Sequence, residues 1–201
     1  MTDNSFILIV GFLNAFKTNL EVGIYALFGG ILLALPLTWF RMRGGFLGKC
    51  SETFISLLRA FPVFVLMFVL LNLFSRTFQD LTNNEPKTAL ILALCAYATA
   101  VISDAAQDSW QHFHLAELTE ALLIIPNLLR IFTILVMSSS VGAAVGVQDA
   151  VSFTLKSADQ MPDANERILT VFLVTVFFML FFISIRFVLN KVVKRILSSQ
   201  R

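Results

Sequence analysis

Charge is what this chain has least of. Of its 201 residues, 14% are Asp, Glu, Lys or Arg, against roughly 25% in an ordinary soluble domain. So small a supply cannot cover a water-facing surface, which excludes a soluble globular fold. The formal net charge of +2 is too small to imply a nucleic-acid partner. Cysteine is nearly absent as well. Cys50 lies in a basic loop and Cys95 in an apolar run, so there is no disulfide framework. No Gly-Lys-Ser phosphate loop occurs, and any nucleotide hydrolysis must belong to a partner. No nucleophile–base arrangement stands out, so the chain is not expected to be an enzyme, and no catalytic residue is assigned. The start, Met1 to Ser5, lacks the basic region of a cleaved signal peptide, and the mature protein is expected to keep it. There is no internal repeat of the kind that builds inverted-repeat transporters.

What is present is hydrocarbon. The chain is 57% hydrophobic with 21 Phe, and its mean hydropathy is +0.81. A span needs about 20 apolar residues. By that measure the sequence predicts an all-α, polytopic membrane protein with about five transmembrane helices in one domain. The expected spans are Val22–Phe40, Phe54–Phe74, Thr88–Ile102, a broken stretch Ala121–Val147, and Ile168–Leu189. Gly29 and Gly30 in the first span permit close helix contact. Phe6–Phe16 is short and is followed by Lys17 and Glu21. Residues 1–21 are therefore read as an amphipathic segment on the membrane or against the bundle, in preference to a sixth span. Polar loops are expected at 75–87, 103–119 and 148–167, with a basic tail at 190–201.

Lys and Arg are distributed unevenly between alternate loops, eight against five, with the excess on the side of the tail. The tail is accordingly placed in the cytoplasm and the N-terminus outside. Its Lys191, Lys194, Arg195 and Arg201 suit an anionic lipid surface.

Several short motifs occur in an order that resembles one family, the permease subunits of bacterial ABC importers for polar amino acids. Lys17-Thr18-Asn19-Leu20-Glu21-Val22-Gly23 is similar to that family's Thr-rich entry to its first helix. Arg59-Ala60-Phe61-Pro62 keeps the Arg and Pro of its Arg-Gly-Thr-Pro sequence. Ala96-Tyr97, Ile125-Pro126-Asn127-Leu128-Leu129-Arg130, Ser139-Ser140-Val141 and Val145-Gly146-Val147 follow in family order. The departures cluster on energy coupling. Ala100, Ser103, Asp104 and Ala105 stand where the family has Glu and Arg-Gly-Gly, and Met137 stands for a Lys. The interval from Tyr97 to Pro126 is short, and only Glu120-Ala121 is similar to the family's Glu-Ala-Ala. The resemblance thus implies a diverged member with a degenerate coupling loop.

The resemblance also implies a role and partners. The chain would be an inner-membrane permease subunit of a polar amino acid importer, multi-pass in a bacterial cytoplasmic membrane. It would pair with a second, non-identical permease subunit, a cytoplasmic ABC ATPase carrying ATP-Mg, and a periplasmic substrate-binding protein. No cofactor on this chain and no nucleic acid are implied. The alternative is a permease-derived, non-transporting scaffold or regulatory subunit that has lost its coupling.

The candidate residues fall in two groups. Arg59, Pro62, Tyr97, Ser138, Ser139 and Ser140 are candidates for a transport path or its framework. Arg59 has three readings: a snorkelling interfacial cation, one half of a structural pair, or a substrate contact. Ser138 to Ser140, with Gly142, Ala143, Ala144 and Gly146, suit helix packing or a polar path. Glu117, Glu120, Ala121 and Pro126 are candidates for ATPase coupling. His112 and His114 among acidic residues are read as solvated loop, since their spacing repeats no metal-ligand pattern.

Overall fold

In lipid no water is available to satisfy a free backbone N–H or C=O, so apolar runs of this length are held as helices that satisfy themselves. The computed structural model describes residues 2–77, 85–114 and 124–198. Its elements are α1 (Thr2–Arg43), α2 (Gly45–Ala60), α3 (Val63–Thr77), α4 (Glu85–His114), α5 (Ile124–Ser139), a 3-10 helix (Ser140–Val145), α6 (Ala150–Asp159) and α7 (Ala164–Ser198). No strand occurs among the described residues. Four helices are long and apolar enough to cross a membrane, and five spans result if the α2–α3 pair counts as one. The chain is a multi-pass, all-helical membrane protein.

The core is built on α1 and α4. Val22, Ala26 and Ala34 of α1 meet Leu90, Leu94, Ala98 and Ile102 of α4, and α3 adds Met67 while α5 adds Ile131 and Leu135. Small residues set the approach. A Cβ built on Gly30 would lie 2.5 Å from the Ala98 Cβ and 3.2 Å from Ala98 backbone carbon, so only glycine admits α4 this near. A Cβ on Gly23 would likewise lie 2.7 Å from a Val136 methyl of α5.

Four expectations from the sequence need correction. Residues 6–16 do lie against the bundle, one of the two placements expected, but they form no separate segment; they belong to one 42-residue helix continuous with the first span. Their apolar face holds Phe12 and Phe16 against Phe177, Phe178 and Phe181 of α7, edge to face at centroid distances of 5.0–6.3 Å. Lys17 and Glu21 do not end the helix, because an exposed Lys17 and a Glu21 paired with Lys87 are both tolerated on its surface.

The second expected span, Phe54–Phe74, is broken by a 96° bend. Pro62 is the cause: it disfavours helical geometry at the residue before it, and Phe61 is extended at φ −78°, ψ 122°. The stretch from Ser103, read as loop, continues α4 to His114. Its Ser103 is fully buried on Thr38, at 2.8 Å between hydroxyl oxygens, so polarity there marks a helix contact rather than solvent. The loop expected at 148–167 contains α6, whose first turn is capped by Asp149.

The last helix is the most apolar and the least covered. None of its most apolar 18-residue stretch is buried within the chain, so lipid or another subunit must cover it.

Candidate functional site

Two clusters of polar side chains tie the helices of this bundle together, one buried and one partly exposed. The first joins α1 to the α5–α6 connection. Asn19 is fully buried on α1. Its amide nitrogen donates to the Ser139 hydroxyl at 2.9 Å, to Ser140 at 3.4 Å and to Asp149 Oδ2 at 3.3 Å. Its carbonyl oxygen accepts from the backbone N–H of Ala150 at 3.0 Å. Asp149 Oδ1 accepts from the Ser152 N–H at 2.8 Å, the N-cap bond of α6. One amide side chain therefore satisfies the end of α5 and the start of α6 together. Burial pushes the Asp149 carboxyl above the ordinary carboxylate range, opposed by the hydrogen bonds from Ser152 and Asn19.

The approach between these elements is allowed by a sharp turn after the 3-10 helix. Gly146 takes φ +93°, in the left-handed region that favours glycine. The Val147 N–H bonds back to the Gly142 carbonyl at 3.0 Å, which returns the chain to Asn19.

The second place joins the end of α1 to α2 and α4. Arg41 contacts Glu52 and donates to Asp104 at 2.9 Å. Arg59 donates to the other oxygen of Asp104 at 2.5 Å. Arg41 is the covered member, with 17% of its side chain exposed, against 52% for Arg59. The shared carboxylate Asp104 thus ties three helices. Asn19 and Arg41 are 22 residues apart on one helix, about 33 Å at 1.5 Å per residue. The two clusters are therefore separate, at opposite ends of the Val22–Phe40 stretch of α1.

Against this geometry the sequence candidates separate. Ser139 and Ser140 belong to the Asn19 cluster, while Ser138 is half-buried beside it and has no side-chain hydrogen bond among those described. Arg59 belongs to the Asp104 cluster, and Pro62 sits at the bend just beyond it. Tyr97 packs, half-buried, against the α1–α4 core and joins neither cluster. Pro126 is buried in the first turn of α5, where a missing N–H costs no helical bond. Glu117, Glu120 and Ala121 lie outside the described residues. No group of three or more metal-ligating side chains occurs among the described residues.

Sequence reasoning missed Asn19 and Asp149 as partners. Asp149 carried a readable signal, an N-cap residue just before a helix-forming run. Asn19 carried none, because its partners lie 120 to 131 residues away.

Comparison with known proteins gives fold and nothing finer. No family model and no curated protein matches the chain. Two solved structures match at full length. The membrane subunit in the crystal structure of an amino acid ABC transporter with histidines has a TM-score of 0.71 at 16% identity, over 96% of this chain and 97% of that one. The corresponding chain of the MetNI methionine ABC transporter, in inward-facing conformations, has a TM-score of 0.66 at 17% identity, over 98% of this chain and 99% of that one. Both are permeases. Over its described residues the chain has the ABC-transporter permease fold.

Proposed function

We propose that this chain is an inner-membrane permease subunit of an ABC importer for polar amino acids. The observation that carries the reading is the full-length match to the amino acid transporter, 96% of one chain on 97% of the other. The ordered motifs from Thr18 to Val147 support the polar amino acid class. On this reading the chain pairs with a non-identical permease subunit in a bacterial cytoplasmic membrane. A cytoplasmic ABC ATPase supplies ATP-Mg, and a periplasmic binding protein delivers substrate. The paired bundle alternates between outward and inward access, a rigid-body motion of packed helices. Glu117, Glu120, Ala121 and Pro126 are the proposed coupling segment toward the ATPase. Arg59 and Pro62 frame the bent second span, and Ser138, Ser139 and Ser140 lie where the fourth span ends.

The test is co-purification in mild detergent, with partners identified by mass spectrometry. The expected result is an ABC ATPase together with a second permease, and cross-linking from Glu117 or Glu120 to the ATPase. Recovery of other membrane proteins without any ATPase sinks the importer reading and leaves a permease fold reused as a scaffold.

A further inference from the structure

Two guanidinium groups stand in an apolar groove that neither polar cluster uses. The groove lies between the start of α5 and the last turns of α7, with a volume of about 670 Å³. Arg130 and Asn127 enter it from α5, and Arg186 and Asn190 enter it from α7. Phe182, Ile185 and Leu189 form much of the remaining wall. Neither arginine has an ion-pair partner among the described residues. Arg186 is also followed by Phe187, Val188 and Leu189, so it lies inside the apolar part of α7 rather than beyond its end. A cation at such a position is costly unless an anion or water meets it.

We infer that this groove is a binding site for one anionic phospholipid, its phosphate held between Arg130 and Arg186 and an acyl chain laid along Ile185 and Phe182. Charge selects the ligand: the two cations come from different helices and line one groove, so the oxygens of a single phosphate can accept from both and bridge α5 to α7, leaving the site net positive and selective for an anion. Hydrocarbon selects the source of that phosphate. On the apolar side of Arg186 the α7 wall continues through Ile185 and Phe182 into the body of the span, a hydrocarbon contact that suits an acyl chain and that a free ion does not use. The asparagine amides of Asn127 and Asn190 add donors at the headgroup level. The neighbouring Lys191 is engaged by the Phe187 ring at 4.9 Å and belongs to the general basic tail. The inference does not depend on what the chain transports.

The experiment is native mass spectrometry of the full-length protein in mild detergent, titrated with phosphatidylglycerol and with phosphatidylcholine of the same acyl chains. The expected result is preferential retention of one phosphatidylglycerol. Affinity should fall about fivefold for each arginine removed in R130Q and R186Q. The paired variant R130K/R186K should retain the preference, which separates charge from misfolding. The tail variant K191Q/K194Q should leave it unchanged. Equal retention of both lipids overturns the inference, as would be seen if protein covered the groove. A preference lost in the tail variant but kept in R130Q/R186Q also overturns it, in favour of diffuse surface charge. Displacement of the lipid by equimolar glycerol phosphate reassigns the groove to a small anion.

Discussion

Replacing Asn19 with Ala should destabilise the bundle more than any other single polar truncation in it. The side chain holds the Ser139 hydroxyl at 2.9 Å, the Asp149 carboxylate at 3.3 Å and the Ala150 N–H at 3.0 Å. Ser139 keeps its own bond to the Val136 carbonyl, and Asp149 keeps the Ser152 N–H. The Ala150 N–H is left unsatisfied in a buried place, and the carboxylate loses one donor. An orphaned buried donor costs about 1–3 kcal/mol and a hydrogen bond to a charged group contributes about 1.5–3 kcal/mol. The total for N19A is therefore about 2.5–6 kcal/mol. At about 2–4 °C per kcal/mol for a chain of this length, Tm should fall by roughly 10 °C. Cys95 is buried and provides the readout, since its thiol reacts with a fluorogenic maleimide only when the core opens. Cys50 is exposed and is first changed to Ser to remove its background. A fall of less than about 2 °C would refute the claim that this amide ties α1 to the α5–α6 connection.

Three further outcomes follow from the same geometry. Asp149 has its carboxyl raised by burial above 3.8. The stability it contributes is then fully present below 3.8 and is lost as pH rises through the raised folded value. The Tm of D149N minus that of the native chain should therefore grow in the variant's favour as pH rises from 3.8 through the raised folded value; a difference that is flat or falls contradicts the sign. In the second cluster, D104A takes from Arg41, only 17% exposed, one of its two carboxylate partners, leaving Glu52, and should cost about 1–3 kcal/mol. R59Q, at a half-exposed position, should cost under about 1 kcal/mol, read by the same thiol assay. At the α1–α4 contact, G30A drives a methyl to 2.5 Å from the Ala98 Cβ and should cost about 1–3 kcal/mol. Adding A98G removes that methyl clash and should recover part of the loss, an interaction that a double-mutant cycle measures.

Much of the fold was legible because a membrane simplifies the physics. Every apolar run long enough to span must be helical, so Val22–Phe40, Thr88–Ile102 and Ile168–Leu189 could be placed from hydropathy alone. Boundaries were less legible. Polar residues mark the ends of helices in a one-dimensional reading, yet Glu21 and Asp104 lie within helices because Lys87, Arg41 and Arg59 meet them there. The bend at Pro62 was signalled by the proline, but hydropathy counted the residues on both sides as one span.

By itself the sequence determined that the chain is a membrane protein, that it is helical, and roughly where it crosses, since those follow from transfer of side chains and backbone out of water. Its ordered short motifs already pointed to the permease fold. Which polar groups meet was decided only by tertiary structure. Asn19 with Asp149, and Arg41 and Arg59 with Asp104, are pairings over 45 to 130 residues. Hydropathy is a property of each residue and its near neighbours. A hydrogen bond between distant segments depends on how two helices are turned and how closely glycines such as Gly30 let them approach.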